Sequence, residues 1–572
     1  MKRRKPKEQK TQKRKKETKQ NKKKQKSKKS KKSKKKKTKK QKKQRMRTDI
    51  SEERREKKEN RRGDSPKKMD AVPDDLVVYV ARLLVRACGA DGAAYGLGSA
   101  SRRMRALVKI ALASEPNVWL RVSGSASAAA CISSFRDAPS VSVEAQVTAR
   151  SLEAALSHKR KTRLVNLCVG AVIARSKREA LGLMRTLARL DLVSLDITMS
   201  LTNGIGMLSS LERLVLFASD CPDLRCVARL TRLRDLELTS CHALVDIRHV
   251  SSLSSLTRIA VAYCSRLRDV APLATVASLT DVGVSAVSAR TANIASALTS
   301  LGSLRVLRVR RATLAIETVA RLTGLETLFI QRTVPRDDAA VGTLSALHRL
   351  STLEYDGDGC DGYRVVPVGL DRLRRLSVLR IIRCDLPTGP SSVGLAGLPF
   401  LVELHCSEVN VAVLDAPTTL TSLSLHRCHE LTDAGFSAVL ASLVALRTLK
   451  VSSCAGLRDL SSITRLTSLE RVDVSCDVPR DLASFSRLTN LRSLAVHVPS
   501  GVRGVASLAS LSCLTDLRVG SFTAERDEDD ALALVDAAPN IRTFFLNGCS
   551  ARLCAAVERR PDLRARVRAY LL

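Results

Sequence analysis

No segment of this sequence offers about 18 or more uninterrupted apolar residues, so a membrane-spanning helix is not expected. The N-terminal charge run has no apolar core, so a secretory leader is not expected either. No glycine-rich loop ends in Lys-Ser or Lys-Thr, and the eight histidines are scattered, so neither a phosphate cradle nor a Ser/His/Asp or Cys/His set can be chosen. Catalysis therefore has no candidate, and no cofactor is expected. The sixteen cysteines do not cluster as a disulfide framework would. Reduced, buried thiols are expected, in a protein of the cytoplasm or nucleus.

Lysine is nearly absent from most of the chain. Residues 1–68 hold 28 lysines, whereas only Lys109, Lys159, Lys161, Lys177 and Lys450 follow. The same 68 residues contain 37 Lys+Arg against 8 Asp+Glu, a net of +29 out of the total of +42. Such a segment buries too little apolar surface to offset the entropy of ordering, and a disordered Lys-rich tail is the expectation for 1–68. Basic runs at 22–24 and 34–37 suit nuclear import, or a non-specific nucleic-acid contact through counterion release. No aromatic residue interrupts them, so base stacking has no platform there. The abrupt change in composition suggests that Met69 is the physiological start, an expectation that tail peptides found in the native protein would overturn.

Apolar residues return after Met69 with helical spacing. Leu76, Val77, Val80, Leu83 and Leu84 share one helix face, behind Pro73 and the first-turn acids Asp74 and Asp75. A Gly/Ala stretch at 89–98 breaks the pattern, and 99–113 reads as a second helix. A helical module is expected over 70–122, followed by a linking or capping region at 123–163.

From residue 164 a repeat L-x-x-L-x-L takes over. Its anchors are Leu164, Leu192, Leu211, Leu233, Leu256, Leu279, Leu304, Leu325, Leu350, Leu376, Leu401, Leu420, Leu446, Leu469, Leu491, Leu514 and Ile541. Their mean spacing, about 23.6 residues, lies in the range of leucine-rich repeats. Alternating apolar residues such as Leu236 and Leu238 predict a short strand in each repeat, paired in parallel with its neighbours. Eight residues past the anchor stands a cysteine in several repeats, namely Cys241, Cys264, Cys384, Cys428, Cys454 and Cys549. An L-x-D turn follows at 244–247, 267–270 and 457–460, where Asp can bind turn amides.

These features resemble the cysteine-containing leucine-rich repeats. The implied fold is α/β: a leucine-rich-repeat solenoid, a horseshoe with parallel strands on its concave face, running over 164–550. A C-terminal helical cap is expected at 551–572, with 527–538 also helical. The module at 70–122 resembles an F-box: Val72, Pro73, Asp74, Asp75, Leu76, Val77 and Val80 match the family's opening, and Ser101, Arg102, Arg105, Leu107 and Trp119 its later elements. It departs at Ala100 and Met104, where a Cys and an aromatic usually stand, and in the loose link at 89–98. The two resemblances together imply a substrate receptor of a cullin-based ubiquitin ligase, whose adaptor would contact Pro73, Leu76, Val77, Val80 and Trp119. The alternative is a leucine-rich-repeat scaffold or regulator in which the same helices cap the array.

The strand residue between the second and third apolar positions should face outward. In the informative repeats it is Asp196, Glu237, Arg308, Phe329, Glu354, Arg380, His405, Lys450, Asp473, Arg518 and Phe545, with Arg310, Gln331, Asp356 and His426 one step further along the face. Arg and aromatic residues anchor interfaces. The repeats over 304–401, with Arg308, Arg310, Phe329, Gln331, Arg380 and His405, are thus the expected surface for a protein partner. The acidic stretch 355–363 reads as an irregular loop; it lacks the Glu and the glycine spacing of a calcium loop. His426, Cys428 and His429 do not have the spacing of a zinc site.

Overall fold

Each L-x-x-L-x-L segment has one physical solution: the anchor leucine closes a turn, and the next two apolar residues point inward from a strand too short to be stable alone. Pairing in parallel with the strands of the flanking repeats satisfies its backbone. The computed structural model describes residues 118–120, 140–157, 164–199, 202–287, 298–311, 313–314, 319–331, 334–335, 344–357, 364–365, 370–385, 395–409, 414, 416–476, 481–498, 501–520, 525–538, 540–560 and 567–571. The basic tail, Met69, the module before residue 118 and the stretch 358–363 lie outside the described residues.

Among the described residues, twenty strands form one parallel sheet in chain order. They are β1 (Val118–Leu120), β2 (Ser140–Thr148), β3 (Asn166–Ile173), β4 (Ser194–Thr198), β5 (Arg213–Phe217), β6 (Asp235–Thr239), β7 (Arg258–Ala262), β8 (Asp281–Ser285), β9 (Val306–Arg310) and β10 (Thr327–Gln331). The second half comprises β11 (Thr352–Asp356), β12 (Val378–Ile382), β13 (Glu403–Ser407), β14 (Ser422–His426), β15 (Thr448–Ser452), β16 (Arg471–Ser475), β17 (Ser493–Val496), β18 (Asp516–Val519), β19 (Thr543–Cys549) and β20 (Val567–Leu571). All seventeen anchors are at most 2% exposed. The architecture is the expected α/β leucine-rich-repeat solenoid.

The turn leaving many strands is built the same way. Among the described residues, in nine repeats the residue after the strand is a non-glycine in the left-handed region, from Ala218 (φ 53°) to Ser453 (φ 54°). Its N–H still donates to the next strand, as Ala218 does to the Thr239 carbonyl (2.9 Å) and Ser240 to that of Ala262 (2.8 Å). That bond extends the ladder one rung and helps offset a strain of about 1 kcal/mol per left-handed residue. Behind it stands the cysteine: the Cys241 thiol faces the Leu216 and Thr239 carbonyls (3.7 and 3.6 Å), and Cys454 those of Leu425 and Ser452 (3.8 and 3.5 Å). The aspartates of the L-x-D turns accept amides two residues on, Asp246 from Arg248 (2.7 Å), Asp269 from Ala271 (2.8 Å) and Asp459 from Ser461 (2.8 Å).

Between strands the chain returns mostly through short 3-10 turns such as Arg248–Ser252 and Ser461–Arg465. Other connections carry regular helices, among them α1 (Ala149–Leu156), α2 (Lys177–Leu187), α3 (Asp433–Ser442), α4 (Glu525–Ala537) and α5 (Ala551–Arg559). Thr148, Ser176, Thr432 and Ser550 cap four of them, each hydroxyl accepting a first-turn N–H.

Two boundaries differ from the sequence reading. The ladder begins before Leu164, because β1 pairs with β2 and β2 with β3, so the region 123–163 contributes a strand and a helix to the solenoid. Val141 and Val147 do the inward packing there, without an L-x-x-L-x-L signature. At the other end the helix expected over 551–572 stops at Arg559, and 567–571 is a strand paired with β19. An open sheet edge at β19 provides unpaired donors and acceptors, and that pairing prevails over helix propensity.

Candidate functional site

Because side chains alternate along a strand, positions one, three and five of each five-residue strand form three rows on the open face of the sheet. The middle row runs in register from Ser142 through Cys168, Asp196, Val215, Glu237, Ala260 and Gly283. It continues through Arg308, Phe329, Glu354, Arg380, His405, Ser424, Lys450, Asp473, Ala495, Arg518 and Phe545. The row changes character at β9: small side chains at 260 and 283 give way to a run of long charged and aromatic ones.

Arg308, Phe329, Arg380 and His405 are brought onto one continuous surface over four of the five strands β9–β13. The Arg308 guanidinium lies over the Phe329 ring, 5.2 Å from its centroid, and also pairs with Asp281. Arg380 bridges Glu403 (3.0 Å) and Glu354 (3.8 Å), and Glu354 accepts a hydrogen bond from Gln331. Burial, with the charge of Arg380 and the neighbouring His426 behind it, pushes the His405 imidazole below its ordinary value and keeps it neutral. His426 is held by the Ser452 hydroxyl at 2.7 Å. Arg310 is exposed, with no ion pair among the described residues.

Two expectations need correction here. Asp356 does not stand free on the face: it is buried, 7% exposed, and forms a two-point ion pair with Arg383, its Oδ1 3.0 Å from Nε. Tyr355, the other residue assigned to the start of an irregular loop, is an inward residue of β11. Both follow from the strand continuing to 356.

Sequence reasoning missed the first row, where Arg213, Asp235, Arg258 and Asp281 alternate in sign across β5–β8. Arg258 sits between Asp235 (2.9 Å) and Asp281 (3.5 Å), and Arg213 closes on Asp235 at 3.4 Å. Reading the residue two past each anchor would have exposed this alternation. Cross-strand pairing neutralises these charges; arginine over phenylalanine recurs at Arg518 and Phe545 (5.0 Å) in β18–β19, and in β9–β13 the Arg308–Phe329 pair is joined on the same row by Arg380 and His405.

Of the residues expected to meet an adaptor, Pro73, Leu76, Val77 and Val80 lie outside the described residues. Trp119 is a backbone rung of β1, level with Ser142. Cys428, between His426 and His429, is buried against the Cys406 carbonyl (3.7 Å). Among the described residues no group of three or more His, Cys, Asp or Glu could hold a metal ion, and no helix is long and apolar enough to cross a membrane.

No protein-family model and no curated protein sequence matches this chain. Among solved structures, a leucine-rich-repeat protein of Leptospira interrogans is similar at 17% identity over 62% of this chain and 96% of its own, with a TM-score of 0.45. An internalin of Listeria monocytogenes shares 16% identity over 74% of this chain and 94% of its own, with a TM-score of 0.31. The TLR13–ssRNA13 complex gives 16% identity, 75% and 59% coverage and a TM-score of 0.44. The architecture rests on the strand ladder itself, and these distant likenesses add nothing about ligands.

Proposed function

We propose that the chain is a non-catalytic recognition scaffold that holds a protein partner on the open sheet face over β9–β13. One observation carries this: Arg308, Phe329, Glu354, Arg380 and His405 stand in unbroken register, outward, with no core to fill. A rigid surface of arginine and aromatic side chains is where binding energy concentrates, because little rotamer freedom is left to lose. The test is a photoreactive phenylalanine analogue in place of Phe329, with a control analogue at the exposed edge residue Val444. Partner crosslinked from 329 and lost on Arg380→Glu supports the reading; crosslinking from 444 alone overturns it.

The finer reading is a substrate-recognition subunit of a cullin-based ubiquitin ligase, which acts by positioning its target for transfer by other subunits. It is supported by the F-box resemblance around Pro73, Leu76, Val77 and Val80, immediately before the solenoid. Trp119, a backbone rung of β1, is the fifth residue of that reading. Protein beginning at Met69 should recover adaptor and cullin, and Leu76→Asp/Val80→Asp should lose both while keeping its melting temperature. Failure of the unsubstituted protein to bind purified adaptor would leave a scaffold without a ubiquitin role.

A further inference from the structure

Two thiols break the pattern of the turn cysteines. In the repeat that follows Leu211 the turn position is filled by Ser219, 2% exposed, whose Oγ accepts the Cys221 N–H at 3.2 Å. Cys221 and Cys226 are therefore spare with respect to turn capping. They flank Cys-Pro-Asp-Leu-Arg-Cys, residues 221–226, the last three of which form a 3-10 turn, and their sulfurs lie 2.8 Å apart. That separation is only about 0.8 Å beyond a disulfide bond. Asp223 stiffens the hairpin between them: its Oδ1 accepts the Arg225 N–H at 3.0 Å and its backbone bridges to Asp246 in the next repeat. Bringing the sulfurs together thus requires little loop closure.

We propose that Cys221 and Cys226 form an oxidisable dithiol, converted by a hydroperoxide into an intramolecular disulfide. The Cys226 thiol hydrogen-bonds the Cys221 sulfur and, with Thr202 contributing, holds Cys221 down at about 7 against burial, while Cys226 is pushed up. Cys221 is the attacking thiolate. Its sulfur takes the near oxygen of the peroxide, the O–O bond breaks, and the departing hydroxide is protonated to water. Cys226 then attacks the Cys221 sulfenic sulfur; the S–S bond forms, the S–O bond breaks, and the leaving hydroxide takes the Cys226 proton as a second water. Two electrons pass from the thiol pair to the peroxide. Cys221 is 8% exposed and Cys226 partly exposed, enough for an oxidant little larger than water. The turn thiols also pair, Cys241 with Cys264 and Cys428 with Cys454, but they are at most 2% exposed and backed by carbonyls.

Trypsin cleaves after Arg225, between the two cysteines, so the disulfide is read as fragments 214–225 and 226–229 recovered as one linked species. The full chain is treated with hydrogen peroxide, blocked with iodoacetamide and digested without reductant. The expected result is loss of the separately alkylated fragments in most molecules, with the exposed Cys513 still alkylated, and return of both fragments after dithiothreitol. Cys226→Ser, checked for an unchanged melting temperature, should lose the linked species and leave a dimedone-reactive sulfenic acid in 214–225. Cys513→Ser should keep the link. Both fragments staying alkylated at a dose that oxidises Cys513 would overturn the proposal, as would Cys221 linked elsewhere in the unsubstituted chain.

Discussion

At the scale of single residues the solenoid depends on small polar groups placed at fixed points. Asp459 accepts both the N–H and the Oγ of Ser461, each at 2.8 Å, where the chain turns into its return segment. Asp459→Ala should cost about 1 kcal/mol, like loss of a helix cap, read by urea denaturation; no change in midpoint would show that solvent replaces the aspartate. His405 makes a pH prediction. Its folded value lies below the ordinary 6.5, so below that pH the unfolded chain takes up a proton that the folded chain declines. The stability contributed by neutral His405 is full above the ordinary 6.5 and is lost as pH falls from there through the lower folded value. His405→Gln should flatten the decline in melting temperature between about pH 7.5 and about pH 5.5; an identical decline in both proteins would place the titration elsewhere.

At the scale of the repeat, energy is concentrated in the inward leucines and function in the residues between them. Leu353→Ala in β11 removes a fully buried side chain and should cost about 2–5 kcal/mol, whereas Val444→Ala, on a valine 69% exposed, should stay within about 0.5 kcal/mol. The strand positions were legible because a period of two and a fixed anchor leave one register that buries the leucines. So were the thiols at Cys241, Cys264, Cys428 and Cys454 and the aspartates at Asp246, Asp269 and Asp459, which recur at fixed offsets. The middle row of the open face followed from the same register, Arg308 and Phe329 included. What each outward residue pairs with was not legible, since cross-strand neighbours lie about one repeat away in sequence. Arg380 reads as an outward residue of the partner surface, and there it bridges Glu354 and Glu403. Asp356 reads as exposed and proves to be buried against Arg383. The strand β2 escaped notice because valine stands where leucine marks the later repeats.

For the molecule as a whole, each repeat buries its face only against its neighbours, so the ends carry a cost that the middle does not. The C-terminal end meets it with α5 and β20: Leu553 and Val557 are buried, and β20 covers the edge of β19. A buried carboxylate ties this cap to the repeat before it, Glu528 of α4 accepting the Ser550 N–H at 2.9 Å and its hydroxyl at 2.5 Å. Glu528 is 7% exposed, and removing Ser550 with the cap takes away both of these hydrogen bonds. Deleting residues 550–571 should therefore accelerate hydrogen exchange of the β18 and β19 amides by at least about tenfold and leave β5–β8 unchanged, because coupling decays repeat by repeat. Uniform acceleration along the ladder would mean that the solenoid unfolds as one cooperative block, and that the surface over β9–β13 depends for its rigidity on a cap several repeats away.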